Sequence, residues 1–246
     1  KANRLLERNG FTYTYDENGN RLTKTGPAGT TNYTWDSRNR LTAITESDGT
    51  VTRFTYDSFN NLISQQISGP GRNLDTAYLP DSLSNVVYQA SSDGETLSTL
   101  TGLNIDDHLA VTHGDGTQNY ILRDTLNSTV ATTDNAGALK QSVSYEPYGQ
   151  TSGVKTTFPI QYTGRLPVSD GLYYYRARFY DPEAGRFLSE DPIALNGGIN
   201  YYSYVKGNSV NFIDPLGLAE IPNPNGSVPG GPWTPNPENR AGNFKG

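Results

Sequence analysis

An aromatic–aspartate pair returns three times at nearly constant spacing. Tyr15-Asp16, Trp35-Asp36 and Tyr56-Asp57 stand 20 and then 21 residues apart. Polar residues and a leucine follow each pair: Asn18, Gly19, Asn20 and Leu22, then Asn39, Arg40 and Leu41, then Asn60, Asn61 and Leu62. Each unit reads as strand, turn, strand. Asp and Asn suit the turn because their side chains hydrogen-bond the nearby backbone and tolerate left-handed conformations. The aromatic and the leucine flank the turn, where they can pack across a hairpin. One hairpin cannot bury its apolar face, but stacked copies cover one another. The repeat therefore predicts a continuous spiral of antiparallel strands reaching about residue 150.

Composition agrees. Only 34% of the 246 residues are apolar, with 26 glycines, 15 prolines and 17 tyrosines. Tyr, Thr and Val favour half-buried pleated surfaces, so a wide, thin, strand-rich body is expected rather than one thick core. In Thr50–Tyr56, Thr52, Phe54 and Tyr56 share one face, while Val51, Arg53 and Thr55 share the other. Further strands are expected at Asn85–Ala90, Leu109–Thr112, Gln118–Arg123, Ser128–Thr132 and Leu139–Tyr145.

Other features narrow the function. Net charge is −6 with no basic run, so neither nucleic acid nor a membrane surface is an expected partner. There is no cysteine, hence no disulfide or thiol chemistry. No apolar run reaches the ~18 residues that a spanning helix needs. No signal peptide opens the chain, and Lys1-Ala2-Asn3-Arg4 begins in mid-pattern, as expected of a fragment. The two histidines, His108 and His113, are five residues apart. An alternating strand places them on opposite faces, so surface or turn roles are expected, with no metal and no cofactor. Gly114–Thr117 reads as a hairpin turn rather than a calcium loop.

The chemistry concentrates in the stretch from Gly171 to Leu218, which carries two Asp-Pro pairs, Asp191-Pro192 and Asp214-Pro215. Two neighbouring carboxylates cannot both ionise easily, so the pair supplies a base and an acid together. Each proline biases its aspartate toward extended backbone and holds the carboxylate in place. The 23 residues between Asp191 and Asp214 include Gly197-Gly198-Ile199-Asn200-Tyr201-Tyr202, which can fold back. A tight turn through Pro215-Leu216-Gly217 can present the Leu218 carbonyl, and Gly217 permits unusual backbone angles. A tethered scissile bond has much of its proximity advantage built in. The plain alternative for both aspartates is turn and cap formation.

These motifs resemble the core-domain terminus of Rhs (rearrangement hotspot) and YD-repeat proteins. Tyr120–Gly137, Tyr145–Gly149 and Gln161–Arg165 extend the resemblance, which covers most of residues 13–218. Trp35 stands where the YD repeat usually has Tyr. The resemblance implies a β-strand shell around a C-terminal toxin and an aspartic-protease-like site that cuts the toxin loose. Carried over, the aspartates are Asp191 and Asp214, and the cut bond is Leu218–Ala219. The upstream arginine is best matched by Arg178, with Arg176 the alternative and Arg186 a poorer one. If Leu172–Tyr180 is one strand, Tyr174, Arg176, Arg178 and Tyr180 share a face. Ala194 departs from the family's usual Gly. If that position needs φ > 0, Ala costs about 1 kcal/mol or more.

The expected architecture is thus all-β. Residues 1–150 form a YD-repeat shell segment, and 151–218 an irregular core plug with the autoproteolysis motif. Residues 219–246 form an extended Pro/Gly/Asn-rich linker, the start of a truncated toxin region. The implied partner is the chain's own C-terminal toxin, with secretion-apparatus or toxin-complex partners beyond it. The implied location is secreted or at the bacterial cell surface. The rival reading is a non-cleaving adhesive module whose exposed tyrosines stack on carbohydrate. The tail from Pro222, with Trp233, could also serve as an interaction peptide.

Overall fold

Every aspartate of the repeat closes its turn in the same way. Asp57 Oδ1 accepts the backbone N–H groups of Phe59 and Asn61, both at 2.8 Å, and Oδ2 accepts the Asn61 side-chain amide at 2.9 Å. Asp16 holds Asn20, and Asp36 holds Arg40, through equivalent bonds. The third residue after each aspartate is left-handed: φ is 90° at Gly19, 59° at Asn39 and 68° at Asn60. Adjacent turns are laced together by Asn20 donating to Asn39 Oδ1 at 2.8 Å and Arg40 donating to Asn60 Oδ1 at 3.1 Å. The same turn recurs at Asp81 with Asn85 and at Asp124 with Ser128, so the repeat outruns its obvious aromatic signature.

These turns join the strands of an all-β protein. The computed structural model describes residues 3–152 and 157–222. Fourteen antiparallel strands, from Glu7–Arg8 to Leu139–Ser142, pair in strict chain order. Among the described residues the first and last strand each have one neighbour, so the sheet has two open edges. Four of the expected strands appear within a residue or so, as Val86–Ser91, His108–His113, Gln118–Arg123 and Thr129–Thr133, while the fifth, Leu139–Ser142, ends three residues early. The alternation in Val51–Tyr56 holds: Thr52 and Phe54 are buried, Arg53 and Thr55 exposed. Gly114–Thr117 is a hairpin turn, closed by His113 N–H on the Thr117 carbonyl at 2.8 Å.

Four expectations need correction. The long sheet stops at Ser142 rather than near residue 150. Ser144–Tyr145 pairs instead with Thr151–Ser152 across the Glu146–Gln150 turn, where Pro147 has no N–H to give a ladder. Leu22 points to solvent, and Arg21 is the residue opposite Tyr15, in the place that Leu41 and Leu62 hold opposite Trp35 and Tyr56. His108 is buried, not at the surface, with its ring Nε2 3.2 Å from the Gly164 carbonyl. Leu172–Tyr180 is not one strand: Tyr173–Tyr175 and Arg178–Asp181 form a hairpin whose turn is made by Arg176, at φ 55°, and Ala177.

That hairpin is the centre of a small four-stranded sheet, completed by Leu166–Pro167 and Arg186–Phe187, which plugs one face of the long sheet. Tyr33, Leu41, Ile44, Phe54 and Leu62 of the long sheet share a core with Leu166, Leu172, Tyr174, Phe179 and Leu188 of the plug. A second core lies within the C-terminal part. There Tyr162, Tyr175, Tyr180, Phe187 and Tyr204 meet largely edge-to-face or tilted, the arrangement favoured by ring quadrupoles. Arg21, fully buried, crosses from shell to plug and pairs with Asp181 at 2.6 Å.

Candidate active site

Arg178 opens the second strand of the plug hairpin, and its guanidinium lies over the Phe187 ring, 3.6 Å from the centroid. Stacking on that buried ring fixes the plane of the fork. Each donor then has a defined target. Nε donates to the Gly217 carbonyl at 2.5 Å and Nη1 to the Tyr201 carbonyl at 3.0 Å. Nη2 lies 2.9 Å from Asp191 Oδ2 and 3.4 Å from Asp214 Oδ2. The chain between the aspartates does fold back, and all three expected residues converge.

The two aspartates are held alike. Each spends Oδ1 on its own loop and turns Oδ2 to Arg178. Asp191 Oδ1 accepts the Ile193 N–H at 3.0 Å; Asp214 Oδ1 accepts the Leu218 N–H at 3.0 Å. Burial pushes both carboxyls above the ordinary aspartate range, and Arg178 only partly opposes it. Asp214 feels a further positive charge, Arg165, which Asp191 does not. Burial also lowers the Arg178 guanidinium.

The segment leading to Leu218 is gripped carbonyl by carbonyl. Arg176 Nη1 donates to the Pro215 carbonyl at 2.5 Å, the Ala177 N–H to Leu216 at 3.2 Å, and Arg178 Nε to Gly217. Three consecutive residues of the hairpin turn thus hold three consecutive carbonyls. Gly217 is obligatory twice over: φ is 68°, and a Cβ there would strike the Tyr175 carbonyl. The next carbonyl, that of Leu218, turns toward Gly197. A Cβ on Gly197 would stand 3.1 Å from the Leu218 oxygen and collide with Asp191 Oδ2, so the absence of a side chain lets that oxygen and carboxylate approach. Leu218 is half-buried and Ala219 exposed.

Pro192 is exposed at the mouth of the site and Pro215 is buried beneath it. Together with Arg178, Asp191, Leu216 and Leu218, Pro192 borders a cleft of about 580 Å³ whose far wall is the stacked Asn and Arg turns of the shell. Arg176 is not the bridging arginine. It binds the Pro215 carbonyl and Asp106. Arg186 lies elsewhere, donating to the Asn3 carbonyl. Ala194 adopts φ 53°, the left-handed conformation in which a Cβ is strained. Among the described residues no group of three His, Cys, Asp or Glu side chains is arranged to hold a metal, and no helix is long and apolar enough to cross a membrane.

The sequence gives no strong signal for Asp106, Arg165 or Arg21, although all three are buried in the join between shell and plug. Arg21 alone could have been found by aligning the repeats, where it replaces Leu41 and Leu62.

Residues 1–204 match the Teneurin YD-shell family model. Among curated proteins, the chain is 29% identical to double-stranded DNA deaminase toxin A of Burkholderia cenocepacia, over 89% of this chain and 18% of that protein. It is 30% identical to the tRNA3(Ser)-specific nuclease WapA of Bacillus spizizenii, over 87% of this chain and 9% of that protein. It is 27% identical to the probable deoxyribonuclease RhsA of Dickeya dadantii, over 90% and 16%. Among solved structures, TcdB2-TccC3 superposes with a TM-score of 0.63 at 22% identity, over 85% of this chain and 14% of that one. The chain therefore spans less than a fifth of these relatives. With its ladder of Asp-closed hairpins and the family match over residues 1–204, the chain belongs to the YD-shell family, as a shell segment of the Rhs and YD-repeat polymorphic-toxin type.

Proposed function

We propose that this chain is the processing end of a toxin shell, which encloses a C-terminal effector and frees it by cutting its own backbone between Leu218 and Ala219. The relatives bear names for three different nucleic-acid chemistries, yet each matches the same stretch of this chain. A stretch common to a deaminase, a tRNA nuclease and a deoxyribonuclease is better suited to carrying effectors than to performing their reactions. Residues 1–150 act as shell, 151–218 as plug and protease, and 219 onward as the leader of the cargo. The cargo is the primary partner, and the setting is a secreted or surface-displayed bacterial toxin.

The observation that carries this reading is the placement of Asp214 and Asp191 on either side of Leu218, tied by Arg178. Asp214, whose charged form Arg165 favours as well as Arg178, acts as the ionised base. It takes a proton from a water admitted beside Leu218, which borders the adjoining cleft, and the hydroxide attacks the Leu218 carbonyl carbon. Asp191, keeping the one proton that the two close carboxyls share, gives it to the carbonyl oxygen. The tetrahedral intermediate collapses, the C–N bond breaks, and the Ala219 amine leaves with a proton. One water is consumed, and the products are a Leu218 carboxylate and a new N-terminus at Ala219. The hairpin grip on Pro215, Leu216 and Gly217 supplies the positioning that a separate substrate would have to gain by binding.

The adhesive alternative relied on exposed tyrosines, but ten of the seventeen are buried. The proposed role of Trp233 lies outside the described residues. Intact-mass analysis of purified protein tests the main reading. Fragments ending at Leu218 and beginning at Ala219 are expected; a chain that stays whole under conditions where it is folded refutes it.

A further inference from the structure

The carbonyl of Pro215, the residue after Asp214, is held by two cations rather than one. Arg165 Nη1 donates to it at 3.0 Å alongside Arg176 Nη1 at 2.5 Å. Both arginines then converge on one carboxylate, Asp106: Arg176 Nη2 meets Oδ1 at 2.8 Å, and Arg165 Nη2 pairs with Oδ2. Asp106 is only 2% exposed. It belongs to the long sheet, in the connection between the strands Thr96–Thr101 and His108–His113. Its backbone is left-handed at φ 61°, and its N–H donates to Asn85 Oδ1 at 2.8 Å. Arg176 reaches the same Asn85 Oδ1 at 3.1 Å and the Ser84 carbonyl at 3.2 Å. Two separate loops of the shell wall thus extend through two plug arginines to the loop that bears Leu218.

Burying two guanidinium groups against one carboxylate is costly, and such an arrangement is weak support for stability alone. Each arginine spends its Nη1 on the Pro215 carbonyl. Proline fixes φ, so holding its carbonyl sets the direction in which the following residues leave. Without Asp106 the two cations repel each other across that carbonyl.

We infer that Asp106, acting through Arg165 and Arg176, is a positioning residue that makes self-cleavage conditional on the shell wall being closed over the plug. Resting on the reading of Leu218 as the cut residue, it adds a control: a plug without its wall has the two aspartates but not the aimed carbonyl.

The test uses the full chain and two readouts. Hydrogen exchange is followed at the Leu218 and Ala177 amides in an Asp191→Asn background that keeps the chain whole, with Val51–Tyr56 as the internal standard. Cutting is timed during cell-free synthesis across a pH series. Asp106→Asn is expected to speed exchange at Leu218 and Ala177 about tenfold or more while the standard strand is unchanged. Cutting should slow about tenfold to a hundredfold, as for a small misplacement of a reacting group. The acid limb of the rate profile should also move to lower pH. Asp214 is faced by Arg178, Arg165, Asp191 and Tyr204, and losing the Asp106 charge leaves Arg165 uncompensated. A purely structural lesion would scale the profile without moving it. Unchanged exchange with an unmoved profile overturns the inference and leaves self-cleavage standing. Faster local exchange in a chain whose wild type never cuts keeps the clamp and sinks the cleavage reading. Should Asp106→Asn loosen the standard strand too, Arg176→Lys, which keeps charge but loses the fork, must reproduce the local pattern, or the inference fails.

Discussion

The Leu218 backbone N–H donates to Asp214 Oδ1 at 3.0 Å, so the aspartate proposed to activate water also anchors the residue whose carbonyl is attacked. Asparagine at this position keeps an oxygen for that N–H while removing the base and the charge that faces Arg178. Asp214→Asn is therefore expected to fold with the loop in place and to lose cutting by about 10²–10⁴-fold or more, the contribution usual for acid–base catalysis. Mass spectrometry across Leu218–Ala219 reads this directly. A variant that cuts at the wild-type rate would reduce Asp214 to a turn former.

The pH dependence of cutting has a defined sign. The reaction needs one carboxyl ionised and one protonated. Burial raises both Asp191 and Asp214 above the ordinary value of 3.8. The singly protonated pair, whose titration belongs to both residues together, then persists to higher pH than unperturbed aspartates allow. Cutting is expected to peak in mild acid and to decline as pH rises through the upper step, with that step above the usual aspartate range. Because these folded-state values are raised, the pair's contribution to stability is fully present below the unfolded value and is lost as pH rises. Single-turnover rates from about pH 3 to 9 test the point, and a profile with its upper step at or below 3.8 contradicts it.

How far the sequence anticipates this site depends on the range of the interactions. The Asp-closed turns were legible because Asp57 binds Phe59 and Asn61, partners two and four residues away. The pairing of Asp191 with Asp214 was arguable from the repeated Asp-Pro motif and the Gly-rich stretch between them, but Arg178 as their bridge was reachable only by resemblance, since nothing local dictates that residues so far apart meet. The hairpin at Arg176–Ala177 was not legible. No Gly, Asn or Pro marks it, and Arg176 is held at positive φ by bonds to Ser84, Asn85, Asp106 and Pro215, all more than 35 residues away. His108 was misplaced for a related reason. Its burial comes from Gly164 in the plug packing over a strand end that looks exposed in isolation.

Ala194 carries avoidable strain. At φ 53° its Cβ crowds the backbone, whereas glycine adopts the conformation freely. Ala194→Gly is expected to gain up to about 1 kcal/mol, raising the midpoint of thermal unfolding by about 2–4 °C in a chain of this size. Cutting should not slow, because the turn leading to Gly197 relaxes into the conformation already present. A lower unfolding midpoint would show that the flexibility of glycine in the unfolded chain outweighs the strain.

The join between shell and plug is testable at Arg21. Its guanidinium is fully buried, 2.6 Å from Asp181, and lies over the Tyr13 ring, 4.6 Å from the centroid. Leu41 and Leu62 show that leucine fits the equivalent place in neighbouring repeats. Yet Arg21→Leu alone strands Asp181 as an unpaired buried charge, and a loss of about 3–5 kcal/mol is expected. Replacing both, Arg21→Leu with Asp181→Leu, should recover most of it, since an apolar pair avoids desolvating two charges. The acid response runs opposite to that of the cutting pair. Burial pushes Asp181 up, but Arg21 and Lys24 outweigh it and hold the carboxyl below the ordinary range. Its stabilisation is therefore present above the unfolded value and disappears as pH falls through the folded one. Denaturant titrations of the three variants at pH 7 and pH 3 measure both effects. If the single variant is as stable as the double at pH 7, Arg21 and Asp181 do not hold the plug to its wall.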